Sequence, residues 1–125
     1  MLLGIGTDLV EARRVARSVR ENAGFREAVF SARETSSCEA SSDPALAYAV
    51  RFAAKEAFLK AAGLGWPAGP PLSQIEVLED RLGRPSLRLR GRAKRLWGRR
   101  GLRLHLSLSR ARGLAGALVA IETAG

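Results

Sequence analysis

Residues 45–62 constrain the fold of this chain more than any other stretch, because both ends of the segment are signed. Asp43-Pro44 opens it. An Asp at the N-cap accepts a free backbone N–H of the first turn, and Pro at the next position gives up an N–H that would be unpaired anyway. Gly63 closes it, since Gly tolerates the left-handed backbone that ends a helix. The spacing predicts a helix from Ala45 to about Ala62. Its side chains are mostly Ala, Val, Leu, Phe and Tyr, so most of the circumference must be buried. Four charges interrupt the apolar surface: Arg51, Lys55, Glu56 and Lys60. At about 100° per residue Arg51 and Lys55 fall within roughly 40° of each other, as do Glu56 and Lys60, and the two pairs are roughly 140° apart. Charges on a helix of this kind need partners or a ligand.

The rest of the chain supplies what the helix packs on. Leu3 to Leu9 alternates as a strand, with Gly4, Gly6 and Asp8 on one face and Leu3, Ile5, Thr7 and Leu9 on the other. Glycines there mark a close approach by a ligand or another backbone, or else an edge strand weakened by Gly and ending in a solvated Asp8. Glu11 to about Arg20 is helical, and Phe25 to Phe30 is a short amphipathic turn or helix. Ser31 and Glu34 fit a capping box. Thr35 to Ser42 is polar and Ser-rich and is expected to be the least ordered part. After a Gly- and Pro-dense loop over Leu64–Pro71, strands are predicted for Ser73–Glu79 and Ser86–Arg90, around a turn at Leu82–Pro85. A short basic helix over Gly91–Arg99, with Leu96 and Trp97 inward, follows. Strands over Arg103–Ser109 and Leu114–Glu122 flank a turn at Arg110–Gly113. The order predicts one α+β domain over residues 1–125, an antiparallel sheet packed on the long helix.

Composition narrows the partners. Lys and Arg number 21 against 12 Asp and Glu, a net charge of +9. This favours an acidic partner: nucleic acid, anionic lipid, a phosphorylated ligand or an acidic protein. A basic, solubilising surface is the alternative. Arg13, Arg14, Arg17 and Arg20 crowd the first helix, where like charges repel unless an acidic surface meets them. No run of about 18 apolar residues is present, so no membrane insertion is expected. Met1–Gly4 lacks the features of a signal peptide. The single Cys38 excludes an intrachain disulfide and a Cys-based zinc site, and is compatible with a cytoplasmic location.

Two acids, Asp8 and Glu56, are the most suggestive of chemistry. If the long helix packs across the first strand, Asp8 and Glu56 could meet, and paired carboxylates repel unless a cation joins them. Mg²⁺ is typically held by one or two carboxylates together with phosphate oxygens and water. Lys60, one turn beyond Glu56, would neutralise phosphate beside it. The competing reading is a buried Glu56–Lys60 pair with Asp8 unrelated. His105, the single histidine, shares a strand face with Ser107 and Ser109 and reads as structural. Nucleophile-elbow, dinucleotide and P-loop patterns are absent.

Gly4-Ile5-Gly6-Thr7-Asp8-Leu9-Val10-Glu11, then Arg51-Phe52-Ala53-Ala54-Lys55-Glu56-Ala57-Phe58-Leu59-Lys60-Ala61, then His105-Leu106-Ser107-Leu108-Ser109 come in that order. With these motifs the chain resembles, over essentially its full length, the bacterial holo-acyl-carrier-protein synthases, a group of 4′-phosphopantetheinyl transferases. The resemblance implies Mg²⁺-dependent transfer of phosphopantetheine from coenzyme A to a serine of apo acyl carrier protein, with release of adenosine 3′,5′-bisphosphate. It implies metal binding by Asp8 and Glu56, and catalytic roles for Glu56 and Lys60. Glu56, or a metal-bound water it holds, is the candidate acceptor of the serine proton. It further implies a coenzyme A site drawn from Arg51, Lys60, Gly63, Gly65, Pro85, Ser109 and Arg110. Docking of the acidic carrier protein is expected on Arg13, Arg14 and Arg17, and the assembly is expected to be a homotrimer with coenzyme A between neighbours. Lys55 is expected either at coenzyme A phosphates with Arg51 or in the packing of the helix. One position departs from the pattern. Where the family usually has a histidine after Ser-x-Ser, this chain has Arg110, which stays protonated and cannot act as a base. Arg110 is expected either to grip a phosphate of coenzyme A or to mark a catalytically impaired homologue that binds coenzyme A or carrier protein. A basic nucleic-acid-binding module remains the alternative outside the family.

Overall fold

A computed structural model describes residues 1–63, 69–98 and 101–123. Its centre is helix α4, Pro44–Ala62, capped as its ends predict: Asp43 Oδ1 accepts from Leu46 N at 3.2 Å, and Gly63 turns left-handed at φ 70°. Strand β1, Leu2–Glu11, lies along it. A Cβ at Gly4 would strike the carbonyl of Ala61, and one at Gly6 the carbonyl of Ala57, with Lys60 Cβ 2.9 Å away. The two glycines thus let strand and helix backbones touch, and the close approach is to a helix. Period-two alternation carries Asp8 out on that same face, beside the polar flank of α4.

Strands β4, Leu102–Ala111, and β5, Leu114–Thr123, complete an antiparallel sheet in the order β1-β5-β4. Asp8 lies opposite Ala117, which lies opposite Leu108. The inner face of β5 (Ala115, Ala117, Val119 and Ile121) is buried under α4. The outer face is apolar and open at Leu3, Ile5, Leu9 and Leu118. A second pair, β2 (Ile75–Glu79) and β3 (Pro85–Leu89), forms a separate antiparallel hairpin. Helices α1 (Ala12–Glu21) and α2 (Phe25–Val29) pack in sequence, α1 along α4. The expected α+β architecture holds, with the sheet divided in two.

Four local expectations are corrected. Thr35–Ser42 is not the loosest segment: α3 runs Ala32–Glu39, started by the Ser31–Glu34 capping box and held by burial of Cys38 and Glu34. Ser73 and Gln74 form a 3-10 turn, Leu72–Gln74, and the strand begins only at Ile75, because Lys55 Nζ binds the carbonyls of both Leu72 and Ile75. Helix α5, Gly91–Trp97, buries Ala93 and half-buries Trp97 edge-on to Phe58, whereas Leu96 is exposed. Arg110 and Ala111 belong to β4; the turn is Arg112-Gly113 alone, both at positive φ (51° and 75°), as a tight two-residue hairpin needs.

Lys55 resolves in favour of packing. Its ammonium is wholly buried and donates to Glu34 Oε1 (2.7 Å), Ile75 O (2.6 Å) and Leu72 O (3.0 Å), so all three donors are met. Burial pulls its pKa below the ordinary lysine value, while Glu34 pulls it back. Glu34 also accepts from Val77 N at 2.9 Å and from Ser31 N at 3.0 Å. One carboxylate therefore ties α3, α4 and β2 together.

Candidate active site

Asp8, Glu56 and Lys60 come together at the β1 edge of the sheet. Lys60 Nζ donates to Asp8 Oδ1 at 3.1 Å and to Thr7 O at 2.9 Å. Glu56 is half-buried beside them. Burial first, then the charge of Asp8, pushes its pKa above the ordinary carboxylate value, and Lys60 opposes the shift. A carboxylate raised by a second carboxylate is the electrostatic signature of a place short of positive charge. Hard oxygen donors in that number suit Mg²⁺, which needs few protein ligands when phosphate oxygens complete its shell. Among the described residues no group of three or more His, Cys, Asp or Glu side chains offers a protein-only cage. The competing Glu56–Lys60 reading does not describe the geometry, since the lysine reaches across to Asp8.

A second group forms on the opposite flank of α4. Glu79 Oε1, at the end of β2, accepts from Arg110 Nη2 of β4 at 3.3 Å and lies 4.0 Å from Arg51 Nη2 of α4. Arg51 is buried; its Nη1 donates to Ala47 O at 3.0 Å, and its buried Nε meets no acceptor among the described residues. Pro85 sits opposite Glu79 in the hairpin. Of the expected coenzyme A residues, Arg51, Pro85 and Arg110 are thus brought together, and Lys60 stands with the acids. Ser109 points to the other face of β4, away from Arg110. Gly63 spends its N–H on the carbonyl of Lys60. Gly65 lies outside the described residues.

Arg13, Arg14 and Arg17 are exposed on α1. Arg14 borders a groove of ≈470 Å³ floored by Leu9, Val15, Phe25 and Phe52, which places a cation at the lip of an apolar trough. His105 pairs with Glu122 across the outer sheet face at 2.8 Å and joins neither group. Sequence reasoning missed Glu79: it ends a strand next to a turn, and nothing local marks partners 28 and 31 residues away.

These arrangements have relatives. Residues 4–116 match the model of the 4′-phosphopantetheinyl transferase superfamily. The chain belongs to that family, as its motifs imply. A holo-[acyl-carrier-protein] synthase from Syntrophus aciditrophicus is 44% identical over 98% of this chain and 97% of its own. Among solved structures, a holo-[acyl-carrier-protein] synthase from Neisseria meningitidis superposes with a TM-score of 0.84 at 32% identity, covering 98% of this chain and 100% of the other. One from Bacillus anthracis, solved in complex with CoA (3′,5′-ADP), gives 0.81 at 30% identity, covering 98% of each.

Proposed function

We propose that this chain is a holo-[acyl-carrier-protein] synthase, moving 4′-phosphopantetheine from coenzyme A to a serine hydroxyl of apo acyl carrier protein. The observation that carries the reading is the meeting of Asp8, Glu56 and Lys60, from a strand and a helix far apart in sequence, in a chain of this family. The serine oxygen attacks the pantetheine-side phosphorus of the pyrophosphate. The bond to the bridging oxygen breaks, and adenosine 3′,5′-bisphosphate leaves. Such transfers need positioning and charge neutralisation more than covalent help. Asp8 and Glu56 would hold Mg²⁺, which supplies a Lewis acid at the pyrophosphate oxygens. Lys60, with an exposed ammonium, adds positive charge where negative charge develops on the leaving phosphate. Glu56, or a water that it holds at the metal, takes the serine proton.

Arg51, Arg110 and Pro85 contribute to coenzyme A binding, and the basic α1 receives an acidic carrier protein. In one chain the two groups lie on different flanks of α4, which supports the expectation that coenzyme A lies between neighbouring chains. The open apolar sheet face at Leu3, Ile5, Leu9 and Leu118 supports a homotrimer built on that face. A monomer by light scattering at assay concentration would contradict the assembly. No helix among the described residues is long and apolar enough to cross a membrane, and this reading places the enzyme in the cytoplasm.

Mass spectrometry of an apo carrier protein after incubation with the chain, coenzyme A and Mg²⁺ tests the activity. The carrier should gain one phosphopantetheine, and Asp8→Ala or Glu56→Ala should abolish the gain. An unshifted mass with several apo carriers refutes the reading, and full activity in either variant refutes the metal assignment. Arg110 favours one second reading, an impaired homologue. A large gain on Arg110→His would support it, and a loss would show that the arginine is used.

A further inference from the structure

Three elements converge on one carboxylate oxygen. Glu79 Oε1 of β2 is 3.3 Å from Arg110 Nη2 and 4.0 Å from Arg51 Nη2. The two guanidiniums differ in their surroundings. Arg51 has 9% of its side chain exposed, whereas Arg110 is 42% exposed on an edge strand. Alone, two like charges this close would repel, and the freer Arg110 would swing into solvent. Glu79 offsets part of that repulsion, aims the Arg110 fork through a hydrogen bond, and attracts Arg51 across 4.0 Å by charge, while Ala47 O holds the other end of the Arg51 fork. Glu79 uses few of the five N–H donors that each guanidinium carries. The buried Nε of Arg51 has no acceptor among the described residues, a cost expected where an anion completes the site. A cavity of ≈340 Å³ borders Arg51 and Glu79, with Arg33, Ser37 and Ser86 on its wall and Arg110 beyond it; Glu34, also on the wall, is neutralised by Lys55. Asp80, also on its wall, is occupied by the N–H groups of Leu82 (2.9 Å) and Arg84 (2.8 Å) in the hairpin turn.

We propose that Glu79 is a positioning residue that sets Arg51 and Arg110 as a paired guanidinium clamp for a phosphate of coenzyme A. Planar forks match phosphate oxygens bidentately, and a preset pair loses less freedom on binding than two mobile side chains. The inference rests on the reading of Arg51 and Arg110 as coenzyme A ligands. It makes Arg110 a used residue whose orientation depends on an acid from another element. It also runs against the simplest electrostatic expectation, in which removing an acid from an anion site strengthens binding.

Calorimetric titration of coenzyme A and of dephospho-coenzyme A into wild type, Glu79→Gln, Arg110→Ala and the double variant tests it. Glu79→Gln and Arg110→Ala should each weaken coenzyme A binding by about three- to ten-fold, and the double variant by less than the product of the two. A loss confined to coenzyme A places the clamp on the 3′-phosphate; a loss with both ligands places it on the pyrophosphate. Unchanged or tighter binding by Glu79→Gln, or independent losses in the double variant, overturns the proposal. Should Glu79→Gln unfold, the exposed Arg110 carries the test, and wild-type affinity in Arg110→Ala overturns the clamp. Failure of transfer with coenzyme A binding intact would strike the proposed function and leave this inference standing.

Discussion

Glu56 carries a charge that its surroundings resist. Burial and Asp8 hold its pKa above the ordinary carboxylate value. Below that value both the folded and the unfolded chain are protonated at this group, and it contributes no pH dependence. As pH rises through it, the unfolded chain releases its proton first, so stability falls until the folded-state pKa is passed. At pH 7 without divalent metal, Glu56→Gln should therefore have a higher Tm than wild type, with the difference gone near pH 4. Mg²⁺ should raise the Tm of wild type and leave the variant unmoved. Scanning calorimetry checks both; a Glu56→Gln Tm at or below wild type at pH 7 would contradict the placement of the two acids. The Cys38 thiol, buried and pushed up to about 11, has no comparable role open to it.

At the scale of elements, Lys55 holds β2 against α4. Replacing it by Met leaves Glu34 charged and buried without its cation, a change that costs about 3–5 kcal/mol. Urea unfolding of Lys55→Met should show a loss of that size, and a loss below about 1 kcal/mol would contradict the pairing. This element also shows where sequence reading stops. The helix itself was legible, because Asp43, Pro44 and Gly63 sign its ends locally. Helical spacing also put Arg51 and Lys55 on one flank and Glu56 and Lys60 on the other. It did not say that Lys55 would be neutralised by Glu34, a residue 21 positions earlier, or that this contact would order α3. Polar Thr35–Ser42 read as loose for the same reason: what orders it is burial of Glu34 and Cys38 against other elements. Asp8 was legible through the glycines before it, since a bare strand face calls for a close neighbour. Glu79 was not, since its partners come from two other elements.

Over the whole molecule, the proposed function gives the net charge of +9 a use in α1, where Arg13, Arg14 and Arg17 are exposed and Arg14 borders an apolar groove. Exposed charges of this kind steer an acidic partner and weaken with salt. Arg14→Glu should raise KM for carrier protein about ten-fold with a much smaller change in kcat, and salt should narrow the gap between variant and wild type. An unchanged KM in steady-state kinetics would remove Arg14 from the docking surface. The central claim is a stoichiometric group transfer at Asp8, Glu56 and Lys60. Its most direct measurement follows adenosine 3′,5′-bisphosphate and holo carrier protein together in one reaction, with Mg²⁺ and then with excess chelator. Equal amounts of both products are expected with the metal and neither with the chelator. Undiminished transfer under chelation, or bisphosphate released without holo carrier protein, would contradict the central claim.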